Sequence, residues 1–443
     1  LLRKTLLVYL LPLVQVLFDR NWDALRAALR QELVLLFFIS AVCWAVYYGG
    51  RWQVDAEGTV HVSWRLGVRL DRALRAEGLA ALMLEQPLLY RLTGACRVVL
   101  YPVGQTKTIT LYLTRQQAEE LADVLLPVTD PLWHAPKGGE KLAFTVLGAN
   151  GLSTLILWWF AIHQTQSYAP DAQTAALAQL GQLAAFAARW LPLGTAWLLV
   201  LAGTLFCISL VRSALQAVHY TVWRTDTQLG SRGGWLSRFE FRVRSSEISY
   251  ADVRVSPIAR LMKRWPVFVV AGSCRPELPL FVYRSGQEEL FRELLPEFRM
   301  PPDTRHDLTH RSAVFFAPAG IPFGLCLLLL LASRSVLPAL TGTLLIPTAV
   351  FAVFLAGGLM GWLKEGIWLR EGRFTLRRQK GVYLHCICVF HPDVCLRTFQ
   401  SPWAARYQRM TLTLALPGQV RLKVRSIPVR DAAPCLNALE QKT

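Results

Sequence analysis

Apolar and polar positions along this chain are organised on two length scales. On the longer scale, four uncharged apolar runs stand out, at residues 143–162, 190–211, 313–332 and 340–362. Each has the length of about 20 residues that carries a helix across about 30 Å of hydrocarbon. Two shorter apolar runs, 5–18 and 33–48, flank a stretch with charges at helical spacing, 19–31. They fit a further helical hairpin, or one interfacial helix followed by a single span. With the hairpin reading, transmembrane hairpins are expected at 1–50, 143–211 and 313–362. Between and after them lie three polar blocks, 51–142, 212–312 and 363–443. An even number of spans between blocks puts all three on one side of a membrane. Residues 161–188 contain no Lys or Arg, whereas Arg51, Lys141, Arg212, Arg311 and Lys364 sit at the opposite ends of the runs. Lys and Arg concentrate on cytoplasmic flanks, so the blocks are expected to face the cytoplasm. The uncharged segment 170–187 suits either an interfacial helix or an ordered loop.

On the shorter scale, each block alternates with the period-two pattern of half-buried strands. Val60, Val62 and Trp64 alternate in the first block. Phe239, Phe241 and Val243 alternate against Glu240, Arg242 and Arg244 in the second, and the third has RFTLRR followed by GVYLHCICVF. The blocks also read as internal repeats. Each opens on a Trp: Trp52, Trp223, Trp368. Each then carries a proline turn followed by an arginine: Pro87 with Arg91, Pro257 with Arg260, Pro402 with Arg406. The arginines follow the opening tryptophans by 39, 37 and 38 residues. Two more strand-like runs come next. A closing helix is expected at Thr114 with Gln117 and at Ser285 with Glu288, both capping boxes, and near Pro434 in the third block. The recurring arginine reads first as a tie between the turn and backbone carbonyls, and second as a ligand contact.

Composition fits a membrane-embedded chain: 53% apolar, 18% charged, net charge +18. The excess charge must lie between the spans, where it suits anionic headgroups rather than nucleic acid. It is densest in the third block, where fourteen basic residues face five acidic ones. Arg373, Arg377, Arg378 and Lys380 lie close to the end of the last run and are the candidate lipid-headgroup residues. They also fit a solvated strand face. The nine cysteines show no regular framework, which fits a reducing compartment.

Little in the sequence points to catalysis. There is no phosphate-binding glycine loop, no GxSxG elbow and no HExxH. The cluster His385, Cys386, Cys388, His391 and Cys395 has ligand types that bind zinc. As a strand, it instead puts Cys386 and Cys388 on one buried face and His385 on the other. No metal or other cofactor is expected. The runs carry no mid-span acidic residue, which disfavours ion-coupled transport.

The [QS]-P-h-x-x-R turn after a Trp-initiated strand pair, with two spans per block three times over, resembles bacterial PH-domain membrane proteins of the YdbS/YdbT type. The resemblance covers essentially the whole chain. In the first block the proline sits one residue early, in the third one extra residue precedes the arginine, and only Gly94 matches the glycine after that arginine. The resemblance implies an α+β membrane protein in which transmembrane helix hairpins alternate with three PH-like antiparallel β-barrel domains, each closed by a C-terminal helix. It implies the bacterial cell membrane, a non-enzymatic role in envelope stress or protection against antimicrobial peptides, and a shorter one-domain relative as partner. Expected partners are thus the bilayer and that relative, with no nucleic acid. The alternative reading is a lipid or peptide transporter component.

Overall fold

The computed structural model describes most of residues 50–430, together with Phe37 and Ala41; its longer breaks are 150–169 and 299–316. The first expected hairpin falls almost wholly outside the described residues. So do most of the 143–162 run, His391 and the helix expected near Pro434.

One series of elements recurs three times. The first copy has β1 (Gly50–Val54), β2 (Val60–Leu66), β3 (Val68–Leu74), a 3-10 turn (Ala76–Gly78), β4 (Leu79–Gln86), α1 (Leu88–Leu92), β5 (Ala95–Pro102), β6 (Ile109–Thr114) and α2 (Arg115–Leu125). A short strand β7 (Leu132–His134) and helices α3 (Gly138–Gly148), α4 (Pro170–Ala187) and α5 (Leu193–Ala217) lead to the second. That copy has β8 (Thr221–Arg224), β9 (Gln228–Gly233), β10 (Arg238–Arg244), a 3-10 turn (Ser245–Glu247), β11 (Ile248–Val255), α6 (Pro257–Met262), β12 (Arg264–Ala271), β13 (Phe281–Arg284) and α7 (Glu289–Leu294). Helices α8 (Ala317–Val336) and α9 (Thr341–Lys364) follow. The third copy has β14 (Gly366–Arg370), β15 (Arg373–Lys380), β16 (Tyr383–Phe390), β17 (Cys395–Phe399), α10 (Pro402–Arg406), β18 (Arg409–Leu416) and β19 (Val420–Pro428).

The expected architecture of helix hairpins alternating with three closed barrels is not the one observed. Among the described residues the strands form four open sheets. Among the described residues, two helices, over Leu199–Ala217 and Thr341–Leu359, are long and apolar enough to cross a membrane. Helix α8 packs antiparallel on α9, with Gly320 near Leu355 and Ser333 near Thr341. Its apolar stretch, Ala319–Ser335, is shorter than a span.

The sheets stay open because each copy divides between its third and fourth strands, in the first two copies at the 3-10 turn. The first three strands of a copy and its later strands enter different sheets. β4 of the first copy pairs with β10 of the second, so the seven-stranded sheet runs β6-β5-β4-β10-β9-β8-β7. β11 of the second pairs with β16 of the third, giving the six-stranded order β13-β12-β11-β16-β15-β14. A bare strand edge is a row of unmet donors and acceptors. Here the following copy covers it, rather than the same copy curling onto itself.

The chain divides into two compact units. The first (1–55, 60–73 and 149–212) holds the sheet β1-β2-β3, in which Trp52 lies opposite Val62. The second (56–59, 74–148 and 213–443) holds the other three sheets. Period-two alternation gives the six-stranded sheet two apolar faces. Ala251, Val253, Cys386 and Cys388 pack with Leu229, Phe241 and Val243 of the seven-stranded sheet. Phe374, Leu376, Ile387 and Val389 pack with Leu412, Leu414 and Val424 of β18 and β19. Both layers remove apolar surface from water, the main favourable contribution to folding.

The helix starts divide by their turns. Thr114 forms the expected capping box with Gln117. Ser285 does not cap α7: Gly286 takes φ +80° and the Gln287 N–H bonds back to Arg284, so the chain turns once more and the helix begins at Glu289.

Candidate headgroup site at the base of a membrane-length helix

Helix α5 ends at Ala217, and the chain reverses at His219, whose φ is +54°. Tyr220 then drops into the core. It is fully buried, stacks on Phe144 at 4.3 Å and donates its hydroxyl proton to the Leu280 carbonyl. Burial holds this phenol well above its ordinary pKa, so it stays a donor.

A helix C-terminus leaves carbonyls without intrahelical partners. Here the β9–β10 turn supplies donors from outside: the Gly234 N–H to Val218 O and the Trp235 N–H to Leu215 O, both at 2.9 Å. Gly234 has φ +94°, and a Cβ there would lie 2.0 Å from the Ser237 oxygen, so only glycine makes this turn. Arg91 of α1 donates from Nη1 to the Trp235 carbonyl at 2.7 Å. The first-copy arginine is thereby tied to the second-copy turn that holds the α5 end.

Beside this junction lies a cavity of about 680 Å³. Leu84, Cys96, Tyr220 and Phe239 form its apolar part; Arg115, Lys141, Arg232 and Arg238 bring cations, against Glu119 and Glu240. Both carboxylates are engaged. Glu119 accepts from Arg115 Nε at 2.7 Å, which raises the Arg115 pKa further, and Glu240 accepts from Arg242 Nε at 2.7 Å. Arg232 stacks on Trp133 at 4.3 Å and reaches the Thr221 hydroxyl. Among the described residues no carboxylate lies within ion-pair reach of Lys141, Arg232 or Arg238. Trp133, Trp235, Leu236 and Leu142 are exposed near these cations.

The candidates read from sequence lie elsewhere. Arg373, Arg377, Arg378 and Lys380 all fall on β15, where Arg377 is half-buried and its neighbour Arg378 exposed. Pro257 and Pro402 open α6 and α10, where Ser256 and Ser401 accept from the Ala259 and Ala404 N–H groups at 3.0 and 3.2 Å. Pro87 immediately precedes α1. Arg260 is half-buried and Arg406 exposed. His385 faces away from the buried Cys386 and Cys388; its Nδ1 lies 3.0 Å from Asp252, which also accepts from Arg254 Nε at 2.8 Å. Burial pushes the Cys388 thiol well above its ordinary value, the opposite of a metal-ligating thiolate.

Sequence reading missed Arg232 and Arg238 because they flank a turn rather than form a run. The Gly233-Gly234-Trp235 tripeptide was the available signal. No family model matches this chain, and no curated protein or solved structure matches it.

Proposed function

We propose that this is a non-enzymatic membrane protein that holds anionic lipid headgroups in the cavity at the base of α5. One observation carries the reading. Lys141, Arg232 and Arg238, which have no carboxylate partner among the described residues, line an apolar-floored cavity immediately after a helix of membrane length. Each basic group near an anionic leaflet contributes about 1 kcal/mol. An acyl chain suits the apolar part and a phosphate suits the cations. The distribution of Lys and Arg supports a multi-pass bacterial cell-membrane protein with its sheets on the cytoplasmic side. The envelope setting is the one the family resemblance implies.

The test uses the full chain in nanodiscs of neutral lipid doped with phosphatidylglycerol. Lipid carried through delipidation is read by native mass spectrometry. Phosphatidylglycerol should be retained selectively, less so as salt rises, and the retention should be lost in Arg232→Glu/Arg238→Glu. Equal retention of neutral and anionic lipid, or retention unchanged in the double variant, would refute the reading.

A further inference from the structure

The seams β4–β10 and β11–β16 share one register, and one row of side chains runs across each. In the first, Leu84 of β4 lies opposite Glu240 of β10, and Glu240 opposite Arg232 of β9. In the second, Arg254 of β11 lies opposite His385 of β16, and His385 opposite Arg378 of β15. Aligned on the turn prolines Pro87 and Pro257, the two rows are equivalent, so Arg378 takes the place that Arg232 takes beside the α5 cavity. The other two positions change in one direction. Leucine becomes arginine and glutamate becomes histidine, which leaves the second row with two cations and no carboxylate of its own.

Residues directly opposite on antiparallel strands share a face, so Arg254, His385 and Arg378 stand side by side. Neighbouring strands lie about 4.8 Å apart, which puts the two arginine backbones about 10 Å apart with the imidazole between them. Both guanidinium groups can therefore reach a small anion seated over His385. The nearest carboxylate is already engaged. Asp252 lies one row down, is buried, and accepts from Arg254 Nε at 2.8 Å; its other close neighbour is His385 Nδ1, at 3.0 Å. The Arg254 guanidinium is also fixed over the Phe268 ring at 3.6 Å. Below Asp252 the face is apolar, with Ile387 and Leu376 packed under β18 and β19. Held in this way, the Nη groups of Arg254 and Nε2 of His385 have no partner among the described residues, and neither has the exposed Arg378. The row also adjoins a membrane-length helix: Arg377, next to Arg378, lies opposite Gly366, just past the end of α9.

We infer that Arg254, His385 and Arg378 form a second anion site, which takes a phosphate group from a lipid headgroup or from free phosphate. Two guanidinium forks facing one group give the charge-assisted bonds that select phosphate. The site lies on a different seam from the α5 cavity and does not rest on it.

The test uses the full chain in nanodiscs and follows phenylglyoxal modification of each arginine by peptide mass spectrometry. One arm adds inorganic phosphate to neutral-lipid nanodiscs, compared with chloride at equal ionic strength. The other replaces part of the neutral lipid with phosphatidylglycerol in phosphate-free buffer. At roughly ten times the dissociation constant about a tenth of the sites stay open, so modification of Arg378 and Arg254 should slow about tenfold. Exposed Arg406 should react at an unchanged rate. Protection in the first arm identifies free phosphate as a source, and protection in the second alone identifies the headgroup. Arg378→Gln, at an exposed side chain, should abolish the protection of Arg254. Arg232→Glu/Arg238→Glu should leave it in place, which keeps this site distinguishable from the α5 cavity. Equal rates at Arg378 in chloride, phosphate and phosphatidylglycerol, equal protection of Arg406, or full protection of Arg254 in Arg378→Gln would overturn the inference.

Discussion

Arg242 offers the sharpest test of how the copies are joined. It sits on β10 of the second copy, with its side chain 7% exposed. From there it reaches into the first copy, donating to the Leu126 carbonyl at 2.8 Å and to Asp123 at 2.7 Å, and within its own strand to Glu240 at 2.7 Å. These contacts are unequal. Asp123 is 65% exposed, so solvent screens that pair to well under about 1 kcal/mol. The Leu126 carbonyl is buried, and its bond to a charged donor contributes about 1.5–3 kcal/mol. Arg242→Met keeps most of the volume and removes the donors, so the seam should weaken by about 2–3 kcal/mol, roughly a hundredfold in local opening. Hydrogen exchange reads this directly, because amides in a cooperative unit share its opening free energy. Exchange should accelerate about a hundredfold in peptides covering β4 and β10 and stay unchanged in β14 and β15. Asp123→Asn should change it by less than about threefold. Equal effects of the two substitutions, or uniform acceleration across the chain, would refute the assignment of the energy to the buried carbonyl.

Two further outcomes follow from the turn and the core. Gly234→Ala should cost about 3 kcal/mol, from the left-handed backbone and the two bonds to α5 that the displaced turn gives up; Gly286→Ala, also at positive φ but facing open space, should cost only about 1 kcal/mol. Thermal unfolding in detergent, with Trp235 emission as the local probe, separates the two. Burial raises the Cys274 thiol from 9.0 to about 12, so the fold favours the neutral form. Its contribution is intact below pH 9.0 and is lost as pH rises through about 12. Melting temperature should therefore fall above pH 9, and by less in Cys274→Ala; identical alkaline slopes would count against a buried neutral thiol.

Much of this was legible one element at a time. The proline turns, the Thr114 capping box and the alternation of Phe239, Phe241 and Val243 are local signals, and each appears where its chemistry puts it. Alternation tells which face of a strand is buried, but not which strand lies beside it. Choosing β10 as the neighbour of β4 is a decision between segments far apart in sequence, and a closed barrel within one block satisfies the same alternation. The basic cavity was hidden for the same reason. Arg115 lies on α2, Lys141 on α3 and Arg232 on β9, and only the shared sheet brings them together. The run of charges on β15 looked denser in sequence, but a strand divides its neighbours between two faces.

Because the first two copies each pair half their strands with the next, synthesis order becomes a constraint. β4 leaves the ribosome about 150 residues before β10, and at roughly 5–20 residues per second its partner arrives about 8 to 30 seconds later. In that interval the nascent chain must deliver α5 while β4 still presents an incomplete ladder. A stop codon placed between copies would thus release not a shorter working protein but one with a permanently open edge.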